Sequence, residues 1–368
     1  MINVLQILPG IDGGGVGGVI YTYCKNLDTT KITVDLAALN TTDGHAPYLY
    51  SELKKSTRNL WLLDRHSYVK RIIEFIKILK TNRYDIVHCH LEEASAIYLF
   101  IAMLMGVKIR IAHGHISQAP SFFSISGLKR FLYPLLLITA THKFACGLFA
   151  AKKLWRSPKD VFVMTNAIEL NKFEHNEKIQ KIIQNKLKIP PDTFVIGTIG
   201  RFHPQKNPEF ILEIIKSYKQ LNTNFKFIWA GDGELKQEIE KKASQLCLLD
   251  NILFLGHINN ANEILMILDA FILPSLYEGL PIVGVEAQAA DVQSLFSETI
   301  TKEVHLHPTT KFLSITDSKK WAIELENIRK NKALKHQETN CLQSSLYNIK
   351  NATKALEKRY EDILKELK

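Results

Sequence analysis

"FVIGTIGRFHPQKNPEFILEIIKSYKQL" (Phe194–Leu221) joins three features that set the architecture. A short apolar run, Phe194 to Gly200, reads as a buried strand. A loop carrying Arg201 and Lys206 follows. Pro208 can then open a helix at its first position, where a missing N–H costs nothing. Strand, cationic loop and helix together make one βα unit.

The same rhythm continues on both sides. Downstream, "FKFIWAG", "NILFLG" and "AFILPS" read as strands, with "ELKQEIEKKASQL" and "ANEILMILD" as helices. Upstream, "INVLQIL", "TVDLAAL", "DIVHCH", "IRIAH" and "KFACG" read as strands, with "VGGVIYTYCKNL" and "RIIEFIKILKT" as helices. The fold class expected is α/β, two doubly wound Rossmann-like domains facing a cleft. The polar stretch from Asn166 to Asp192 reads as the connector between them. The expected division is 1–168, 169–345, and a long C-terminal helix in 346–368, which carries Ile349, Ala352, Leu356, Tyr360, Ile363 and Leu367 at helical spacing. The run "FLYPLLLITATH" (Phe131–His142), broken by Pro134, is too short to span a bilayer and is expected to be a buried strand with its lead-in.

At 368 residues, 46% hydrophobic and 23% charged, the chain has the make-up of a two-domain globular protein. Its five cysteines are scattered and form no CxxC pair, which points to a reducing, cytoplasmic setting without a zinc ribbon or disulfide framework. The start, "MINVLQILPG", carries no basic leader or cleavage site. A net charge of +10 suits phosphorylated substrates or an anionic membrane face. Nucleic acid is disfavoured, because no nucleic-acid-binding motif accompanies the charge.

Several stretches can carry chemistry. Arg201 and Lys206, ahead of the Pro208 helix, form an anion site of fork and point charge, or else an ordinary basic loop. "GIDGGGVGG" lets the backbone approach a ligand closely through Gly13, Gly14 and Gly15. It is no dinucleotide fingerprint, since the acid about twenty residues on, Asp35, falls inside a strand. Gly231 and Gly233 bracket Asp232 in a loop that reads equally as a tight turn or a ligand contact. His88 with His90, and His113 with His115, share strand faces at strand ends. Neither pair has the acidic company of a metal site, so no metal is expected. Glu278 and Glu286 flank "GLPIVGV", and Glu286 stands in an otherwise apolar helix, where an unused carboxylate is costly. Nucleophile-elbow, zincin and P-loop motifs are absent from the sequence.

Together, "GRFHPQKNPEFILEI", "AGDGEL", "FILPSLYEGLPIVGVEAQAA" and the linker "TNAIELNKF" resemble glycosyltransferase family 4, of the GT-B fold, and in particular its exopolysaccharide and capsular polysaccharide enzymes. The resemblance implies a metal-independent, retaining hexosyltransferase with no cofactor. Its substrates would be a nucleotide-sugar donor, a UDP-sugar, and a glycan or lipid-linked acceptor at the inner face of the plasma membrane. It also implies site roles. Arg201 and Lys206 neutralise the donor diphosphate, and Glu278 lies near the donor sugar with the amides of Gly279 and Leu280. Glu286 binds ribose hydroxyls, His115 faces the donor sugar, and Gly14 and Gly15 close over phosphate. One departure stands out: after "EAQAA" the family runs Gly-x-Pro, whereas this chain reads Asp291-Val292-Gln293. Either a remodelled turn or a loss of supporting geometry is expected there. Two other functions fit the same residues, a non-hydrolysing nucleotide-sugar epimerase and a catalytically silent nucleotide-sugar-binding subunit.

Overall fold

The computed structural model describes residues 1–11, 15–40, 47–115, 126–331 and 342–366, with backbone alone for 126–131. The chain divides into two units. The first holds Met1–Ile168 together with Leu346–Lys368, and the second holds Glu169–Ser345.

In the first unit, strands β1 (Ile2–Leu8), β2 (Ile32–Leu39), β3 (Asn59–Leu63), β4 (Ile86–Cys89), β5 (Ile109–Gly114), β6 (His142–Ala145) and β7 (Val161–Val163) form one parallel sheet. Its order is β3-β2-β1-β4-β5-β6-β7. Helices α1 (Gly15–Asn26), α2 (Tyr50–Ser56), α3 (Tyr68–Thr81), α4 (Ser95–Leu104), α5 (Ser126–Thr139) and α6 (Leu148–Trp155) alternate with the strands. The strand order reverses between β1 and β4, so the switch point lies beyond their carboxyl ends. Asp35, fully buried in β2, is held by Arg58 (2.7 and 3.0 Å) and by the Tyr84 hydroxyl (2.7 Å). A buried carboxylate with these partners anchors β2 and is not available to a ribose.

In the second unit, helix α7 (Glu177–Lys186) precedes β8 (Phe194–Ile199), α8 (Pro208–Lys219), β9 (Phe225–Ala230), α9 (Lys236–Gln245), β10 (Ile252–Gly256) and α10 (Ala261–Ile267). Then come β11 (Ala270–Leu273), α11 (Ile282–Ala289), β12 (Gln293–Ser297), β13 (Lys311–Leu313) and α12 (Ser318–Lys330). The parallel order β10-β9-β8-β11-β12-β13 puts a second switch point between β8 and β11. Phe210, Ile214 and Tyr218 of α8 and Trp321 of α12 close one face of this sheet over Phe227 and Trp229.

The structure corrects two expectations. Residues 131–139 belong to helix α5, and only His142–Ala145 form a strand. Proline inside a helix removes a hydrogen bond and costs about 3 kcal/mol. Here the helix persists because Leu132, Leu135 and Leu136 pack on the core of the first unit, while Leu137 and Ile138 face outward. That one-sided burial has a helical period, which Pro134 and the short Leu-rich run obscured. The polar connector, in turn, contains α7, capped by Asn176, whose side chain accepts from the amides of Lys178 and Ile179. Only Ile183 of this helix is buried, so its apolar stripe is too narrow to stand out from the surrounding charge.

Helix α13 (Ile349–Lys365) returns to the first unit. It buries Ile349, Ala352, Leu356, Tyr360 and Ile363, as its spacing predicts; Leu367 lies outside the described residues. Its start is tied to the end of the first unit by Ile168 N–H to the Tyr347 carbonyl (2.9 Å) and Ile349 N–H to the Ile168 carbonyl (3.0 Å). No described helix is long and apolar enough to cross a membrane.

Candidate functional site

The chemistry-bearing residues of the second unit collect on the loops after β8 and β11, the two strands flanking its switch point. After β8 the chain makes one turn of 3-10 helix, Pro204–Lys206, opened by His203, whose Nδ1 accepts from the Gln205 amide. Asn207 takes a left-handed conformation (φ 54°), and Pro208 then starts α8. This turn carries Lys206 back across Gly200, where a side chain would meet the Lys206 Cε at 3.3 Å.

Lys206 Nζ reaches Glu278 Oε1 at 2.5 Å, and Gln205 Nε2 donates to Glu278 Oε2 at 3.2 Å. Gln205 also donates to the Tyr277 carbonyl (3.0 Å), and its own carbonyl accepts from the Leu276 amide (2.8 Å). Both oxygens of a carboxylate only 8% exposed are therefore claimed by the β8 loop. A buried acid is tolerable on those terms. Gln205 was not singled out from sequence, although it adjoins Lys206; its role becomes visible only when the β11 loop folds against it. Arg201 is exposed, and no hydrogen bond or ion pair from a described residue occupies its guanidinium.

Gly231 and Gly233 adopt φ values of 144° and 152°. A Cβ on Gly231 would lie 2.0 Å from the Gly200 carbonyl oxygen, and one on Gly233 2.6 Å from that of Phe202. The Phe202 amide donates to the Asp232 carbonyl (2.9 Å), and the Gly231 amide to that of Gly256 (2.7 Å). Close approach of the loops after β8, β9 and β10 thus accounts for both glycines, and it fixes the backbone on either side of Arg201.

Helix α11 starts after Pro281 with no side-chain cap and no acid in its first turn, so the partial positive charge of its first amides is uncompensated by side chains. Gly279 and Leu280 precede this end, and Leu280 is buried. Gly284 is explained by packing: a Cβ there would press on Phe296 and Val304, each at 3.1 Å. The carboxylate of Glu286, half-buried on the same helix, receives no hydrogen bond from a described residue. Burial pushes its carboxyl up to about 7, partly opposed by Lys172. Lys172 comes from the 3-10 turn Leu170–Phe173 and pairs with Glu169; within the linker motif nothing distinguished it.

The exit of α11 is an ordinary left-handed helix end built on an unusual residue. Asp291 itself takes the left-handed conformation (φ 57°). The Asp291 amide donates to the Gln288 carbonyl (3.1 Å) and the Val292 amide to that of Ala287 (3.0 Å), which is the Schellman pattern. Both bonds that close such a turn are thus made with Asp291 in the left-handed position. The Asp291 carboxylate lies 3.3 Å from His307 Nε2, and Gln288 secures the facing loop. Gln288 donates to the carbonyls of Gly284 and Val304 (2.7 Å each) and accepts from the amides of Leu306 and His307 (2.9 Å each) and the Thr310 hydroxyl (2.8 Å).

In the first unit, Gly15 opens α1 with φ 54°, while Gly13 and Gly14 lie outside the described residues. The four histidines stand together at the carboxyl ends of β4 and β5. His88 and His90 stack at 4.3 Å and His113 and His115 at 4.0 Å. Burial pushes all four imidazoles down, His115 to about 3, so they are neutral near pH 7. His88 bonds the Tyr360 hydroxyl (2.7 Å) and His113 (3.1 Å); His90 bonds Gln6 (2.9 Å) and His115 (2.8 Å). Nitrogens of His88, His90 and His113 lie within 4.8 Å of one another, but both of His88, both of His90 and Nδ1 of His113 are committed to these bonds. A metal ion would have to break them. The Glu92 carboxylate accepts from the His115 amide (2.5 Å), a contact the sequence did not signal.

Two parallel sheets, each with a switch point, and an acid–lysine pair on the loops at the second define a GT-B protein. Comparison with known proteins agrees. Residues 179–305 match the family "Glycosyl transferases group 1" and residues 13–172 match "Glycosyltransferase Family 4". The chain is 31% identical to a Bacillus subtilis protein named as glycosyltransferase EpsF, over 82% of this chain and 80% of that one. It is 25% identical to the capsular polysaccharide biosynthesis glycosyltransferase CapH of Staphylococcus aureus, over 78% and 79%. An Escherichia coli enzyme named UDP-Gal:alpha-D-GlcNAc-diphosphoundecaprenol alpha-1,3-galactosyltransferase is 28% identical over 62% of each chain. In fold, HepE of Anabaena, solved in complex with UDP-glucose, superposes with a TM-score of 0.82 at 15% identity, over 98% of this chain and all of that one. The chain belongs to glycosyltransferase family 4.

Proposed function

We propose that the protein is a retaining hexosyltransferase that moves a sugar from a UDP-sugar to a lipid-linked glycan during synthesis of a cell-surface polysaccharide, without a metal ion, at the cytoplasmic face of the membrane. The observation that carries this reading is the buried Glu278, held by Lys206 and Gln205 where β8 and β11 diverge. Departure of a nucleoside diphosphate builds negative charge on its phosphate oxygens. Arg201, the Lys206 ammonium and the uncapped start of α11 supply fixed positive charge for it. Lys206 is shared: by neutralising Glu278 it keeps that carboxylate beside the sugar without repelling the phosphates.

Glu286 takes the ribose. Two hydroxyl donors would satisfy a carboxylate that now has none, and would favour its ionised form. The two acids thus serve different parts of the donor and are not a hydrolytic pair of the kind that straddles a glycosidic bond. His115 meets the donor sugar, and the leaving phosphate accepts the acceptor's proton on the same face, which retains configuration.

The names of the relatives support transfer over epimerisation or silent binding, and the Escherichia coli enzyme's name supports the acceptor class. The test is a panel of UDP-sugars offered to the purified full chain with an undecaprenyl-diphosphate-linked glycan, with and without EDTA. UDP release and a mass-shifted lipid product, unaffected by EDTA, are expected. Epimerised free donor, or activity lost to the chelator, contradicts the reading.

A further inference from the structure

We propose that Gln6 is a positioning residue that acts through His90 to fix the tautomer of His115, so that His115 Nδ1 offers a lone pair to a substrate hydroxyl. This rests on the assignment of His115 to the donor sugar.

Gln6, His88, His90, His113 and His115 share one face of the first sheet, since Gln6 pairs with His88 across β1 and β4, and His88 with Ile111 across β4 and β5. On that face they form two separate hydrogen-bonded chains. One runs Tyr360–His88–His113, and the other Gln6–His90–His115. The direction of the second is set at its buried end. Gln6 presents Oε1, which can only accept, to His90 Nε2 at 2.9 Å. His90 therefore carries its proton on Nε2 and, being neutral, has a bare Nδ1. His115 must then donate Nε2–H to that nitrogen at 2.8 Å, which leaves its own Nδ1 bare. No described residue occupies that nitrogen.

The surroundings hold the ring in place without overriding this choice. The Glu92 carboxylate takes the His115 backbone amide, the Cys146 thiol lies 3.6 Å from the His115 carbonyl, and His113 stacks on the ring. Burial pushes His90 and His115 far below the usual imidazole range, so neither carries the second proton that would erase the tautomer. The arrangement is also uneconomical as mere packing. Gln6 is fully buried and its Nε2 has no partner, a cost that an apolar side chain of the same size would not incur. The unpaired amide makes sense if the acceptor end matters.

Gln6→Leu should reverse the chain. Without an acceptor, a proton on His90 Nε2 becomes a buried orphan donor, so His90 moves it to Nδ1 and donates to His115, whose Nδ1 then carries the hydrogen. The test is long-range 15N–1H NMR of the imidazoles in the full-length protein, wild type and Gln6→Leu, with His115→Gln to assign the signal. Wild type should show His115 protonated on Nε2, and Gln6→Leu on Nδ1. A wild-type His115 protonated on Nδ1, or a folded Gln6→Leu with an unchanged tautomer, overturns the proposal. In turnover, the reversed tautomer should lower kcat roughly tenfold with little change in donor KM, because a hydroxyl partner is lost in the reacting complex. A reversed tautomer with unchanged kcat would instead overturn the assignment of His115 to the donor sugar, so the two failures are distinguishable.

Discussion

Replacing Glu286 by Gln separates the cost of a buried charge from its use. Burial raises the Glu286 carboxyl from 4.5 to about 7. Each pKa unit corresponds to about 1.4 kcal/mol, so ionising Glu286 in the folded chain costs about 3 kcal/mol relative to the unfolded one. The sign follows from proton counts. Between pH 4.5 and 7 the folded state binds more protons than the unfolded state, so this group's contribution to stability falls as pH rises through that window. Glutamine mimics the protonated acid at every pH. Glu286→Gln should therefore match wild type near pH 4.5 and exceed it at pH 8. For a unit of this size, about 3 kcal/mol corresponds to roughly 6–12 °C in Tm. Scanning calorimetry at pH 5 and pH 8 on both proteins reads this directly. UDP binding should run the other way: wild-type affinity rises through pH 7 as the carboxylate ionises, and the variant binds more weakly with no such rise. Parallel Tm profiles for the two proteins would show instead that Glu286 ionises as freely as in the unfolded chain and carries no burial cost.

Other substitutions probe the frame around it. Glu278→Gln keeps the Gln205 bond and should leave Tm within a few degrees while abolishing UDP release; a wild-type rate would remove Glu278 from the site. Lys206→Ala leaves a buried carboxylate without its cation, which costs about 3–5 kcal/mol, so Tm should fall together with activity. Gln288→Leu strips the Gln288 partner from the buried His307 amide and Thr310 hydroxyl. At about 1–3 kcal/mol for each unsatisfied buried group, it should lower Tm clearly, and an unchanged Tm would show that the loop reseats without it. Gly231→Ala drives a Cβ to 2.0 Å from the Gly200 carbonyl, so it should destabilise by roughly 2–4 kcal/mol. It should also weaken UDP binding by moving Arg201, and normal binding in calorimetric titration would count against that coupling.

The alternation of short apolar runs with amphipathic stretches carries the two-sheet architecture, because strands buried on both faces leave no ambiguity about period. Local signals mislead where packing on one side overrides them, in α5 around Pro134 and in α7 with its single buried Ile183. Lys206 and Glu278 were legible because their motifs are local, but their contact is not, and Gln205 has no meaning until the β8 and β11 loops meet. Gln6 and His90 are separated by 84 residues, so their pairing follows from strand order alone. The amphipathic pattern of α13 announced a helix without stating which unit it covers. Asp291 stands out in the sequence, where the resemblance leads one to expect glycine. The structure shows a left-handed aspartate beside His307, with the helix exit closed by backbone bonds.

Transfer with retention at the Lys206–Glu278 site dictates the stereochemistry of the product. Its most direct test is the anomeric configuration of the first-formed product, read by NMR from an α-configured UDP-sugar transferred by the wild-type chain. An α-linked product is predicted. A β-linked product, or free sugar in place of a glycoside, would contradict it.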